Sequence, residues 1–172
     1  INNKDITMDF VDGTYYKVTA IGDDGKPVGK GEVVGIHVNG RDYVGITDAN
    51  GVAKLKINLN PKTYTITAQY ANYKVSNKLV VKQTLKLAKK TVTVKKSAKS
   101  FKLKATLKWT NGKAIKGKKI VFKFKGKQYT AKTNSKGVAQ VTIKKSVIKK
   151  LKKGKTYKFS AKYITNYVYG KS

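Results

Sequence analysis

Phe101-Lys102-Leu103-Lys104-Ala105-Thr106-Leu107-Lys108-Trp109 alternates apolar and polar side chains without a break. A period of two is the mark of a half-buried strand, which directs Phe101, Leu103, Ala105, Leu107 and Trp109 to a core and Lys102, Lys104, Thr106 and Lys108 to water. A helix is the poorer reading, because a period of about 3.6 would scatter those lysines around the whole surface.

Outward from this strand, the chain repeats one order of strands and turns. Lys125-Gly126 separates Ile120-Val121-Phe122-Lys123-Phe124 from Gln128-Tyr129-Thr130-Ala131-Lys132-Thr133, and Asn134-Ser135-Lys136-Gly137-Val138-Ala139 follows. Earlier, Asn39-Gly40 separates Val33-Val34-Gly35-Ile36-His37-Val38 from Tyr43-Val44-Gly45-Ile46-Thr47, and Asp48-Ala49-Asn50-Gly51-Val52-Ala53 follows. Asp24-Gly25-Lys26-Pro27-Val28 matches Asn111-Gly112-Lys113-Ala114-Ile115, and Tyr64-Thr65-Ile66-Thr67-Ala68-Gln69-Tyr70 matches Tyr157-Lys158-Phe159-Ser160-Ala161-Lys162-Tyr163. The chain is a tandem duplication.

The Asn-Gly, Asp-Gly and Lys-Gly pairs supply the positive φ angles that tight hairpin turns need. Short strands joined by such turns predict an all-β chain of two tandem immunoglobulin-like β-sandwiches, each of about seven strands. Lys78-Leu79-Val80-Val81-Lys82 reads as a last strand and Gln83-Thr84-Leu85 as the next beginning, so the expected domains are residues 1–82 and a lysine-rich 83–172. No Gly-, Pro- or Ser-rich run lies between them, which predicts a stiff joint. One insertion breaks the parallel: in residues 144–155, Val147, Ile148 and Leu151 have helical spacing, predicting a single helical turn capped by Gly154.

Charge is segregated along the chain. All eight acidic residues lie in residues 1–48, with five basic ones, so that stretch carries −3; residues 49–172 hold 34 lysines and no acid, completing the net charge of +31. A region without carboxylates cannot bind calcium through acidic side chains, run paired-carboxylate acid and base chemistry, or complete a Ser/His/Asp triad. With 40% hydrophobic residues, eleven Tyr and five Phe, the charge does not imply disorder. The chain has no cysteine, which excludes disulfides, thiolate-bound zinc and thiol nucleophiles but leaves the compartment open. No apolar run approaches the roughly 18–20 residues that span a bilayer, so no membrane insertion is expected of this segment. Ile1 starts inside what reads as domain sequence, so targeting and anchoring parts are expected elsewhere in a longer protein.

Asp5-Ile6-Thr7-Met8, Asp12-Gly13, Gly25-Lys26-Pro27, Asn39-Gly40, the run Thr47 to Ala53, Leu55-Lys56-Ile57-Asn58-Leu59 and Tyr64-Thr65-Ile66-Thr67-Ala68 together resemble a known pattern. It is that of the immunoglobulin-like repeats of adhesin-like cell-surface proteins from methanogenic archaea, related in pattern to bacterial Ig-like adhesin modules. The second copy resembles their lysine-rich repeats through Gly117-Lys118-Lys119-Ile120-Val121-Phe122-Lys123-Phe124 and Tyr129-Thr130-Ala131-Lys132-Thr133-Asn134. The resemblance covers nearly the whole chain and transfers no catalytic residue. It implies an extracellular stalk or wall-associated segment with neighbouring Ig-like repeats, facing a wall polymer whose carboxylates belong to uronic acid and glutamate.

The candidate polyanion-binding residues are Lys102, Lys104, Lys108, Lys123, Lys125, Lys158 and Lys162. Any one of them, like the Lys118-Lys119 or Lys149-Lys150 pairs, is better explained as part of a solvated strand face. Collectively, unopposed cations repel within a Debye length of about 8 Å at physiological salt, which favours an anionic partner. An anionic cell-wall polysaccharide or peptide-containing polymer is the expected partner, and a stalk that binds nothing is the alternative. Specific nucleic-acid recognition is disfavoured because Arg41, in the acidic portion, is the only arginine available for bidentate contacts. Tyr129, Tyr157, Tyr163, Tyr167 and Tyr169 could stack on bases, but Tyr157 and Tyr163 fit an inward face and such tyrosines are usually core or edge residues.

His37 falls on the outer face of its strand without further ligands at metal-binding spacing, so no metal or other cofactor is expected. Asp23, Asp24 and Asp48 read as turn residues before they read as a cation site. A Lys-Asn amide cross-link in the first copy would draw on Lys17, on Asn72 or Asn77, and on Glu32 or an Asp as helper. No nucleophile, base and orienting group occur together, so the expected function is non-catalytic.

Overall fold

In the computed structural model the alternating segments are β-strands, each burying one side and wetting the other. The structure describes residues 4–87, 91–93, 100–151 and 156–169, with the backbone alone for 91–93. The chain divides into two compact units, Ile1–Lys82 and Gln83–Ser172.

The first unit has seven strands: β1 (Ile6–Asp9), β2 (Tyr15–Thr19), β3 (Val33–Val38), β4 (Arg41–Ile46), β5 (Val52–Lys56), β6 (Lys62–Tyr70) and β7 (Tyr73–Lys82). One sheet runs β1-β7-β6-β3-β4 and the other is the pair β2-β5. Strands three, six and seven share a sheet opposite strands two and five, the arrangement of an immunoglobulin-like sandwich. β1 joins β7 in parallel; the other pairings are antiparallel. Between the sheets lie Tyr16, Val18, Val34, Ile36, Ile66, Ala68 and Leu79, all buried. Each large apolar side chain so buried contributes about 1.5–3 kcal/mol before entropy costs.

The second unit repeats the plan with β8 (Leu85–Leu87), β9 (Thr91–Thr93), β10 (Ser100–Leu107), β11 (Lys119–Phe124), β12 (Lys127–Lys132), β13 (Val138–Lys144), α1 (Lys145–Ile148), β14 (Thr156–Tyr163) and β15 (Asn166–Tyr169). Its sheets run β13-β10-β8 and β12-β11-β14-β15, with β9 on β14. This makes eight strands rather than about seven. β15 covers β14 only from Ser160 to Tyr163, and the uncovered Thr156–Lys158 stretch pairs with β9 instead. Leu103, Ala105 and Leu107 are buried as their alternation requires, while Phe101 and Trp109, at the ends of that run, are half-buried. Phe101 still meets Phe124 edge-on at 5.5 Å, and Phe124 meets Tyr157 at 6.2 Å. α1 is a single turn that buries Ile148, with Lys149 at its C-cap; Gly154 lies outside the described residues.

The duplication extends to individual hydrogen bonds. Thr47 Oγ1 accepts from Glu32 N at 2.9 Å and donates to Gly29 O at 2.8 Å. Thr133 Oγ1 likewise accepts from Lys118 N at 3.0 Å and donates to Ile115 O at 2.6 Å. Both threonines are buried polar residues at the bend from β4 or β12 into the following turn. That turn closes on a glycine at φ +75° (Gly51) or +77° (Gly137), where a side chain would strike the backbone oxygen of Val28 or Leu107.

Candidate polyanion-binding faces

The seven lysines singled out from sequence do not form one site. Lys102 and Lys104 point outward from β10, and Lys108 follows at its end, all exposed on the outer face of the β13-β10-β8 sheet. Lys123 on β11 and Lys158 and Lys162 on β14 belong to the outer face of the opposite sheet. Lys125 sits in the β11-β12 turn at φ +50°, with its Nζ 5.0 Å from the Tyr157 ring centre. The alternation placed every lysine outward, but a strand's sequence does not say which of two sheets it joins.

Register fixes the geometry on the β12-β11-β14-β15 face. Lys123 pairs with Ser160, and Lys158 and Lys162 flank Ser160 two residues away on either side. Lys123 is therefore diagonal to both, about 7–8 Å between backbones, inside the Debye length of about 8 Å. The same rows continue onto β15, where Ser160 pairs with Tyr169 and Lys162 with Tyr167. Tyr167 and Tyr169 are 51% and 68% exposed, with rings 6.1 Å apart and 12° from parallel. Lys162 Nζ lies 5.0 Å from the Tyr167 ring centre. Tyr157 and Tyr163 are buried, and Tyr129 is half-buried. The β10 face carries no aromatic ring among its outward residues: Lys102, Lys104 and Thr106 are flanked by Thr142, Gln140 and Val138 of β13.

The first unit offers a built-in comparison, because the same face there carries different chemistry at the same register. Asp42 pairs with His37, His37 with Thr67, and Thr67 with Ser76. In the second unit that row reads Gln128, Lys123, Ser160, Tyr169. His37 Nδ1 and Asp42 Oδ1 are 2.6 Å apart, an exposed acid-base pair across the β3-β4 ladder. Sequence reading left His37 as an ordinary surface residue; Asp42 was out of view because only the β3-β4 register brings them together.

Asp24 and Asp48 act in turns. Asp24 Oδ1 accepts from Lys26 N at 3.0 Å, and Asp48 Oδ1 accepts from Asn50 N at 2.9 Å and Val52 N at 3.0 Å. Backbone donation, first from Val52, holds the Asp48 carboxyl below its ordinary 3.8. At the matching positions Asn111 Oδ1 accepts from Lys113 N at 2.9 Å, and Asn134 Oδ1 from Lys136 N at 2.9 Å and Val138 N at 3.0 Å. The bonds are the same and the charge is gone. Lys118 stands where the first unit has Glu32, each donating its N–H to the equivalent threonine. By unit, residues 1–82 hold eleven basic and eight acidic side chains, and residues 83–172 hold 28 lysines and no acid.

The residues named for a Lys-Asn cross-link lie on different elements of the first unit. Lys17 is exposed on the outer face of β2, and its inward neighbour Tyr16 is the residue that reaches Asn77, at 3.5 Å. The Asn77 side-chain amide donates to Asp5 Oδ1 at 3.2 Å, Asn72 lies in the exposed β6-β7 turn, and Glu32 is exposed. Among the described residues of this unit, no carboxylate is buried. Among the described residues, no group of three or more His, Cys, Asp or Glu could hold a metal ion, and no helix is long and apolar enough to cross a membrane.

No protein-family model matches the chain, and no curated protein matches it. Among solved structures it is similar to the I9-I11 tandem of titin, at 13% identity and a TM-score of 0.46, over 98% of this chain and 62% of that one. It is also similar to invasin, a bacterial integrin-binding protein, at 17% identity and a TM-score of 0.40, over 99% of this chain and 37% of that one. A Ca2+-stabilised, ice-binding adhesin of an Antarctic bacterium matches at 16% identity and a TM-score of 0.28, over 95% of this chain and 44% of that one. The chain thus spans less than two thirds of each. At these scores the strand order, rather than the likeness, carries the fold.

Proposed function

We propose that this chain is a non-catalytic pair of Ig-like modules from an extracellular, adhesin-like surface protein, as the archaeal repeats it resembles would suggest. In this reading residues 83–172 associate electrostatically with an anionic cell-wall polymer, and residues 1–82 act as a spacer or presenting unit. The observation that carries it is the turn-for-turn loss of carboxylates: Asp24, Glu32, Asp42 and Asp48 of the first unit correspond to Asn111, Lys118, Gln128 and Asn134 of the second. The Asn turns keep every hydrogen bond of the Asp turns, so the fold accepts either residue. The absence of acid is then a property of the surface. Exposed ammonium-carboxylate contacts contribute roughly 0–1 kcal/mol each, so attachment is multivalent, geometrically loose and salt-sensitive.

The test restores the first unit's acids in the second: Asn111→Asp, Lys118→Glu and Asn134→Asp in one chain. Folding should survive, as reported by Trp109, the single tryptophan. Retention on carboxylated polymer should end at clearly lower salt. Unchanged retention would mean that the missing acids have nothing to do with binding, and a purely structural stalk would replace this reading.

A further inference from the structure

We propose that the outer face of β12-β11-β14-β15 in the second unit is a binding surface for a carboxylated polysaccharide, on which Tyr167 and Tyr169 stack against sugar rings while Lys123, Lys158 and Lys162 meet the acid groups. The inference rests on the polyanion reading above and narrows it to one face and one class of polymer.

Charge alone does not explain this face. Tyr167 and Tyr169 are large, mostly exposed rings on a last strand whose neighbours Asn166 and Val168 turn inward. Tyr157 and Tyr163, by contrast, face inward from β14 and are buried. At the equivalent register the first unit has Lys74 and Ser76, opposite Gln69 and Thr67. The fold therefore does not require aromatics there. In the second unit the two nearly parallel, exposed rings occupy the β15 ends of the rows that contain Lys162 and Lys123. Shallow hollows lie on either side: one is lined by Lys123, Lys158, Ser160 and Tyr169, the other by Lys118, Lys119, Val121 and Lys162.

A pyranose offers this surface two complementary parts. Its C–H face is apolar and weakly positive at the hydrogens, which suits the negative face of a tyrosine ring. Its carboxylate and hydroxyl edges suit a flexible ammonium and a phenol O–H. A peptide polycarboxylate offers the charge without the flat C–H face. A nucleic acid offers stackable bases, but the second unit has no arginine for bidentate phosphate or guanine contacts. The β10 face has comparable lysines and no ring, so it can supply only the unselective part of the attraction.

The first unit supplies the variant that tests this. Tyr167→Lys with Tyr169→Ser installs the residues found at the same register of β7, so the fold is known to accept them, and it adds one positive charge. Binding of the full chain to polygalacturonate, polyglutamate and oligo(dT) is measured, with Tyr73→Ala in the first unit as the control for loss of an exposed tyrosine. Polygalacturonate binding should fall about tenfold or more despite the added charge, while polyglutamate binding stays level or tightens slightly and Tyr73→Ala changes neither. Polygalacturonate binding that stays level or tightens would overturn the inference and leave the electrostatic reading standing. Oligo(dT) bound more tightly than polygalacturonate, and lost on the swap, would reassign the face to bases. Failure of the parent chain to bind either carboxylate polymer would sink the broader reading along with this one.

Discussion

Replacing Thr133 with Val should cost the second unit about 2–3 kcal/mol, and the size follows from what the hydroxyl does. Val keeps the volume and the β-branch, so no cavity opens and strand geometry is retained. What is lost is an acceptor for Lys118 N at 3.0 Å and a donor to Ile115 O at 2.6 Å, made by a side chain that is 4% exposed. An ordinary hydrogen bond contributes about 0.5–1.5 kcal/mol net, and a buried partner left unsatisfied costs about 1–3. The Lys118 amide is on an exposed residue and can turn to water, whereas the carbonyl of buried Ile115 cannot do so easily. One full penalty and one partial loss give the stated sum. For a domain of this size that corresponds to a fall of roughly 10–20 °C in Tm. Trp109 fluorescence during urea or thermal unfolding of the full chain reads the second unit selectively, since the first has no tryptophan. Thr133→Ser, which keeps the hydroxyl, should retain most of the stability. Thr47→Val should cost the first unit less, about 1–2 kcal/mol, because both partners, Glu32 N and Gly29 O, belong to exposed residues that can turn to water. A loss below about 0.5 kcal/mol for Thr133→Val, well short of one hydrogen bond, would refute this account of the bend.

Acid should separate the two units. Donation from Lys78 N, then from the Asn77 amide, holds Asp5 below its ordinary 3.8, and backbone donation from Val52 and Asn50 does the same for Asp48. A carboxyl depressed in the folded state stabilises fully above its unfolded value and loses that contribution as pH falls through the folded one. Amide-exchange protection of Lys78 and Val52 should therefore drop in strong acid, while that of Val138, bonded to the neutral Asn134, should hold; parallel loss would contradict this. Lys125→Asn should stabilise the second unit by up to about 1 kcal/mol: a left-handed non-glycine residue costs about 1–2, asparagine tolerates it, and the lost ring contact to Tyr157 is worth about 0.5–1. Urea midpoints followed by Trp109 check this, and a lower midpoint would show that the Tyr157 contact outweighs the strain.

The sandwich was legible in the sequence because its signals are local. Alternation along Phe101 to Trp109 and the Asn39-Gly40 and Lys125-Gly126 turns each depend on a few adjacent residues, and the turns do have the positive φ angles expected. What was not legible depends on pairing between strands. Lys102 and Lys123 look alike in sequence yet lie on opposite faces, because sheet membership is decided by the core as a whole. His37 and Asp42 meet only through the β3-β4 register. The exposure of Tyr167 and Tyr169 could have been read from the Asn166-Tyr167-Val168-Tyr169 alternation, but their place beside Lys162 and Ser160 could not. Thr47 and Thr133 carried one usable signal, since each immediately precedes the Asx turn of its copy.

The most direct test of the charge-based account is retention of the two units, prepared separately as residues 1–82 and 83–172, on isolated anionic wall polymer across a salt series. Residues 83–172 should be held at low salt and released steeply as salt rises, while residues 1–82 should bind little. Equal retention of both, or retention of residues 83–172 that salt does not weaken, would contradict it.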